Sequence, residues 1–143
     1  MNNLMKEIGL TNKKFHCLVK TKCEAMGISS SFRGIIMILS RFGEMSQVEL
    51  GEKLYLSKPT ISLTLKNMEA QGLIQRSQSQ EDARIMIVSL TEAGKEVDNK
   101  IKSVFDEVEL NITSTLSTEE KEQLFMILDK IQKGIECVWK SKK

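Results

Sequence analysis

Two short helix-forming segments, a tight connection between them and two β-forming runs after them fill residues 46–90, and no other stretch narrows the fold as far. The first segment, residues 46–55, opens on Ser46 with Glu49 three residues on, the spacing of a capping box. Its Leu50 and Leu54 fall on one face. The second segment, residues 58–71, follows Ser57 as N-cap. Pro59, the only proline of the chain, falls in its first turn, where a missing N–H does no harm. Gly72 supplies the stop. Ile61, Leu65 and Met68 lie at i, i+4 and i+7 and form an inward stripe. Lys58, Thr60, Ser62, Leu63, Lys66 and Asn67 are left facing out. Leu73–Arg76 and the β-branched run Ile85–Leu90 then read as two strands of a hairpin, with the polar stretch 77–84 as a long, mobile tip.

The flanks are helical. Leu4, Ile8, Phe15, Leu18, Val19 and Met26 mark a first helix over residues 4–26, with a break expected at Gly9 to Asn12. Ser29 to Ser31 offer caps for a second helix, whose stripe runs Phe32, Ile35, Ile36, Leu39 and Phe42 to a stop at Gly43. Beyond the hairpin, Thr91 caps a fifth helix striped by Val97, Ile101, Val104, Phe105, Val108 and Ile112. A box of Ser117 and Glu120 opens a sixth, striped by Leu124, Ile127, Leu128, Ile131, Ile135 and Val138. The expected fold is therefore mainly α: a winged helix-turn-helix with a two-stranded β wing, and additional N- and C-terminal helices forming a dimerisation region. We expect one domain over residues 1–143, with the winged helix-turn-helix lobe at 30–90 and dimerisation helices at 1–28 and 91–143. The two terminal stripes and Trp139 offer more apolar surface than the small lobe can cover, which favours a homodimer; an ordinary intramolecular helix pair would use the same stripes.

A 143-residue chain with 41% hydrophobic and 28% charged residues suits a globular domain with one real core. No long apolar run or signal-type leader is seen, so the expectation is a cytoplasmic protein with no membrane partner. Net charge falls along the chain. Residues 1–45 hold seven Lys/Arg against three Asp/Glu (+4), residues 46–90 five against five (0), and residues 91–143 nine against eleven (−2). A balance this even does not itself argue for nucleic acid, so particular positions must.

Those positions are on the two-faced helix and the hairpin. A helix that anchors one side in a core can lay the other in a major groove. Here the outer side is small and polar near its N-terminus, where the helix dipole also favours phosphate. Arg76 and Arg84 sit at the hairpin's two shoulders. An arginine gains from the enhanced negative potential of a narrow minor groove. Asp82, two residues before Arg84, can hold that guanidinium by charge-assisted hydrogen bonds, although an exposed pair of this kind is often of little energetic worth.

Residues 46–97 resemble the core of the MarR (multiple antibiotic resistance regulator) family. Asp82-Ala83-Arg84 followed by Ser89-Leu90-Thr91-Glu92-Ala93-Gly94 is similar to that family's wing motif and the helix start after it, and Leu65, Met68, Glu69 and Gly72-Leu73-Ile74 match its recognition-helix end and wing entry. The resemblance implies a homodimer that binds the palindromic operator of double-stranded DNA, usually as a repressor. It places Lys58, Pro59, Thr60, Ser62, Leu63, Lys66 and Asn67 at or near the major groove, Arg84 in the minor groove and Asp82 as its orienting partner. It also implies release by a small aromatic or anionic effector, or by an oxidised cysteine. His16 and Cys17, on the first helix, are the candidates for either signal, with Lys14, Lys20 and Lys22 near Cys17 and Cys23. A thiol sensor needs access and a depressed pKa; a buried cysteine is otherwise a small apolar residue.

Three cysteines with no CxxC spacing and a single histidine argue against a disulfide framework or a metal site, and no cofactor is expected. There is no nucleophile with a paired base and no phosphate-cradling glycine loop, so an enzyme is not expected. The competing reading is a winged-helix module for protein–protein contact. It calls for an acidic or apolar outer face, whereas residues 58–67 present Lys58 and Lys66 and no acid.

Overall fold

The computed structural model describes residues 2–142. Element order is α1 (Leu4–Ala25), α2 (Ser30–Phe42), β1 (Met45–Ser46), α3 (Gln47–Lys53), α4 (Lys58–Ala70), β2 (Ile74–Gln78), β3 (Met86–Leu90), α5 (Glu92–Ile112) and α6 (Thr118–Ser141). By compactness the chain divides after Val108 into two units.

In the first unit, apolar side chains from α1 to α5 share one core. Val19 and Cys23 come from α1, Ile35, Ile36 and Leu39 from α2, Leu50 from α3, and Ile61, Leu65 and Met68 from α4; Ile28, Met45, Ile74, Val88, Ile101, Val104 and Val108 complete it. Burial of each large side chain contributes about 1.5–3 kcal/mol, so α4 is held by the stripe its sequence spacing defines. Local signals set most boundaries. The hydroxyls of Ser29, Ser46, Ser57 and Ser117 accept backbone N–H groups of the first turns of α2, α3, α4 and α6. Gly43 and Gly72 adopt positive φ (81° and 75°), which only glycine takes up without strain, just after α2 and α4.

Four expectations are corrected. α1 runs unbroken through Gly9; one glycine costs a long helix only about 1 kcal/mol. α3 ends at Lys53 rather than Tyr55, because Tyr55 turns into the left-handed region (φ 55°) to redirect the chain into α4. The capping box at α3 is half-made: the Ser46 hydroxyl accepts the Glu49 N–H, but no return bond from Glu49 is present. The wing hairpin has its two strands, and a third, β1, joins them. The antiparallel order is β1-β3-β2, with Met45 opposite Val88 and Ile74 opposite Leu90.

Gly94 explains how α5 leaves the sheet. A Cβ there would lie 2.1 Å from the Leu73 carbonyl oxygen. That carbonyl accepts the Thr91 N–H (3.1 Å), and the Thr91 hydroxyl donates to the Gly72 carbonyl (2.5 Å). Thr91 and Gly94 thus fasten the start of α5 to the turn that follows α4.

In the second unit, α6 opens on the expected capping box. The Ser117 hydroxyl accepts the Glu120 N–H (3.1 Å), and the Glu120 carboxylate accepts the Ser117 N–H (2.9 Å). α6 has no fully buried residue. Leu124, Phe125, Ile127, Ile135, Val138 and Trp139 are all exposed, Trp139 by 69%.

Candidate nucleic-acid interface

α4 presents two chemically distinct sides. Ile61, Leu65 and Met68 are at most 2% exposed. Lys58, Pro59, Thr60, Ser62, Leu63, Lys66 and Asn67 are all exposed. Its N-terminus is pinned by Ser57, whose hydroxyl accepts the Thr60 N–H (3.4 Å) and donates to the Thr60 hydroxyl oxygen (2.8 Å). The Thr64 hydroxyl turns back to the Thr60 carbonyl (2.9 Å), so it offers no donor to solvent. The outward side is therefore two ammonium groups, two hydroxyls, an amide, a proline ring and one bare leucine.

The wing tip is closed by its own hydrogen bonds rather than left as an open loop. Ser79 N–H donates to the Ile85 carbonyl (2.8 Å), Ile85 N–H to the Asp82 carbonyl (3.0 Å), and Glu81 N–H to the Ser79 hydroxyl (3.3 Å). Asp82 and Arg84 are built into this closure. Arg84 Nε and Nη2 donate to Asp82 Oδ1 and Oδ2 (3.1 and 3.0 Å), and the Arg84 backbone N–H donates to Oδ1 (3.0 Å). Three donors of one residue converge on one carboxylate. The Arg84 side chain is nevertheless 90% exposed. The side-chain bonds to Arg84, then its backbone N–H, hold the Asp82 carboxyl below the usual carboxylate range, and Asp82 in turn raises Arg84.

Arg76 has different surroundings. Its side chain is only 21% exposed, and Nη2 donates to Glu69 Oε1 at the end of α4 (3.1 Å) while its backbone N–H donates to Oε2 (3.2 Å). The Arg76 side chain is the main reason the Glu69 carboxyl lies below its ordinary pKa. The Nε of Arg76 is buried without a partner. The two shoulder arginines are thus not equivalent: Arg84 is held outward, and Arg76 is turned back onto the helix.

Between α4 and the wing lies a cleft of about 760 Å³. Lys58 and Ser62 line it from α4, Arg84 and Met86 from the wing, and Gln47 and Val48 from the start of α3. Sequence reasoning missed Gln47, Val48 and Met86. Nothing in the periodicity of α3 marks them, because the strand pairing of β1 with β3 is what carries the start of α3 to the wing.

The structure does not bring His16 and Cys17 into one site. The His16 ring packs edge-on to Phe15 and Phe105, with centroids at 5.4 and 6.0 Å. Cys17 is exposed in a shallow groove with Leu10, Lys13 and Lys14. Among the described residues no group of three or more His, Cys, Asp or Glu could hold a metal ion. No described helix is long and apolar enough to cross a membrane.

The chain is similar to known proteins in sequence and in fold. The MarR family model matches residues 33–86, which include α4 and reach β3. A relative from Bacillus subtilis, the uncharacterized HTH-type transcriptional regulator YdgJ, is 29% identical over 119 residues, covering 82% of this chain and 73% of its own. The wild-type apo MarR structure from E. coli superposes with a TM-score of 0.82 over 92% of this chain and 97% of that one, at 19% identity. A mutant of S. aureus MepR, bound to an oligodeoxyribonucleotide, superposes with a TM-score of 0.69 over 94% of this chain and 99% of that one, at 25% identity.

Proposed function

We propose that this chain is a MarR-family winged helix-turn-helix transcriptional regulator rather than an enzyme, and that it acts as a homodimeric repressor on a palindromic operator. The observation that carries the proposal is the combination of an outward polar side of α4 and an arginine held outward beside it. α4 enters the major groove with its N-terminal half leading. Thr60, Ser62 and Asn67 meet base edges, Lys58 and Lys66 meet phosphates, and Pro59 and Leu63 supply apolar contact, including contact to thymine methyl groups. The ridge of sugar and phosphate between the two grooves lies in the cleft that Lys58 and Ser62 share with Arg84. Arg84 then reaches the minor groove on the far side of that ridge. Asp82 leaves the guanidinium its charge and restricts its orientation, so less freedom is lost on binding. Arg76 supports the wing from behind through Glu69.

Two half-sites need two reading helices about 34 Å apart, one helical turn of DNA. Dimerisation through α1, α5 and α6 supplies the second. The apolar side chains left bare on α6 support it, since a surface of that kind marks an interaction site. The DNA-bound MepR relative supports the choice of partner. Release by a small aromatic or anionic molecule, or by oxidation, completes the proposal. The aromatic edges around His16 suit the first signal, and the accessible Cys17 beside Lys13 and Lys14 suits the second.

Selection of bound fragments from a random duplex pool tests the whole reading. The expected product is a pseudo-palindrome whose half-sites are centred about one turn apart. Recovery of single, unpaired sites would contradict the dimer, and recovery of no enriched sequence would contradict DNA reading.

A further inference from the structure

Among the described residues, Asp98 is the only charged one that is buried (5% exposed). It lies in the second turn of α5, on the same inward side as Gly94, Ile101, Val104 and Val108. The Ser40 hydroxyl, near the end of α2, donates to its Oδ2 at 2.6 Å. The Lys102 ammonium, one turn further along α5, stands 2.8 Å from the same oxygen and 3.4 Å from the Ser40 hydroxyl oxygen. Three groups from two helices close on one point. Around them the packing of α2 on α5 is open: a cleft of about 380 Å³ adjoins the three groups, its remaining walls being the apolar Met37, Ile101 and Phe105 and the charged Arg41 and Asp106.

Only the carboxylate of this ion pair is buried, since the Lys102 side chain is 63% exposed; such a pair is a poor source of stability, because desolvation of the buried charge and solvent screening of the exposed one offset most of the attraction. Apolar contact is also non-directional and tolerates sliding. A short charge-assisted hydrogen bond fixes one distance and one angle. We propose that the Ser40–Asp98–Lys102 group is a clasp that sets the angle of α2 on α5, and with it the separation of the two reading helices in the dimer. Asp98 and Ser40 are on this account positioning residues, which touch no DNA. The part concerning DNA spacing rests on the proposed function; the helix angle does not.

The two parts are tested separately in the full chain. For the angle, nitroxide labels are placed at Ser31→Cys on α2 and Asn99→Cys on α5, both exposed positions, with Cys17 and Cys137 changed to serine and the buried Cys23 left in place. The labelled chain is diluted with unlabelled chain, so that pulsed EPR reads the distance within one protomer. The parent gives one narrow distance, and Ser40→Ala and Asp98→Asn each broaden or shift it. Distributions that match the parent in both variants overturn the clasp. If Asp98→Asn does not fold, Ser40→Ala alone decides, because it keeps the Asp98–Lys102 pair. For spacing, affinity is measured on operators with one base pair added or removed between half-sites. The parent's preference for its own spacing falls about fivefold or more in the variants. A broadened distance with an unchanged spacing preference overturns the link to DNA spacing. A parent that binds no operator, with broadened distances in the variants, removes the DNA reading and leaves the helix clasp standing.

Discussion

The two ends of the wing each carry an arginine paired with a carboxylate, and they use the pair in opposite ways. At the root, Arg76 reaches back to Glu69 on α4 and is mostly covered. At the tip, Asp82 grips Arg84 in a local ring and leaves it 90% exposed. The difference lies in where the carboxylate sits. Glu69 belongs to another element, so its bond ties two elements together. Asp82 is two residues away on the same turn, so its bonds close that turn and set the arginine's direction without joining a second element. One pair is mechanical support, and the other is presentation.

Four experiments break or sharpen this contrast. Arg84→Ala gives the largest change in DNA binding, a loss of about tenfold or more on the selected operator, with thermal stability within experimental scatter because the side chain packs against nothing. An equal loss of stability and affinity would make the tip another structural pair. Asp82→Ala comes next. The charge of Arg84 remains and its orientation does not, so affinity drops by roughly threefold, about half the tenfold loss on a logarithmic scale, and less steeply at low salt. A loss as large as that of Arg84→Ala would assign Asp82 a role beyond orientation.

Arg76→Ala reverses the pattern. The melting temperature falls by about 3 °C or more, and operator affinity measured well below that temperature changes little. A loss of affinity without loss of stability would move Arg76 into the interface. The smallest effect is on pH. Both carboxyls have folded pKa values below their unfolded ones. Each pair therefore contributes stability that is present above the unfolded carboxylate pKa of about 4 and is lost as pH falls through the lower folded value. Both pairs are solvent-exposed enough that the amount is small. Carboxyl carbon shifts in NMR should titrate below the ordinary values for Glu69 and Asp82, and DNA binding should not change with pH between about 6 and 8 on account of either. A midpoint above the ordinary value in either residue would contradict the pairing.

The contrast also marks what was legible in the sequence. Asp82 and Arg84 are two residues apart, so their pairing follows from local geometry, as do the caps at Ser29, Ser57 and Ser117. The inward stripe of α4 is equally local, since Ile61, Leu65 and Met68 need only the helical period. Arg76 looked like the twin of Arg84 because its partner lies seven residues upstream, beyond the turn at Gly72, and no spacing rule joins them. β1 escaped notice for a related reason. Two residues carry no period, and their strand character comes from pairing with Val88 and Ile87 of β3, far along the sequence. Asp98 is hidden from a stripe reading that counts only apolar positions, although it falls on the same side of α5 as Gly94, Ile101 and Val104. Its burial depends on Ser40 and Lys102 arriving together.

Hydroxyl-radical footprinting of the selected operator, with the parent and Arg84→Ala side by side at one salt concentration, tests the central claim most directly. The account predicts that the parent protects each half-site together with a short minor-groove segment outside it, and that Arg84→Ala loses protection in those outer segments alone. Identical footprints for the two proteins would show that the arginine at the tip of the wing touches no DNA.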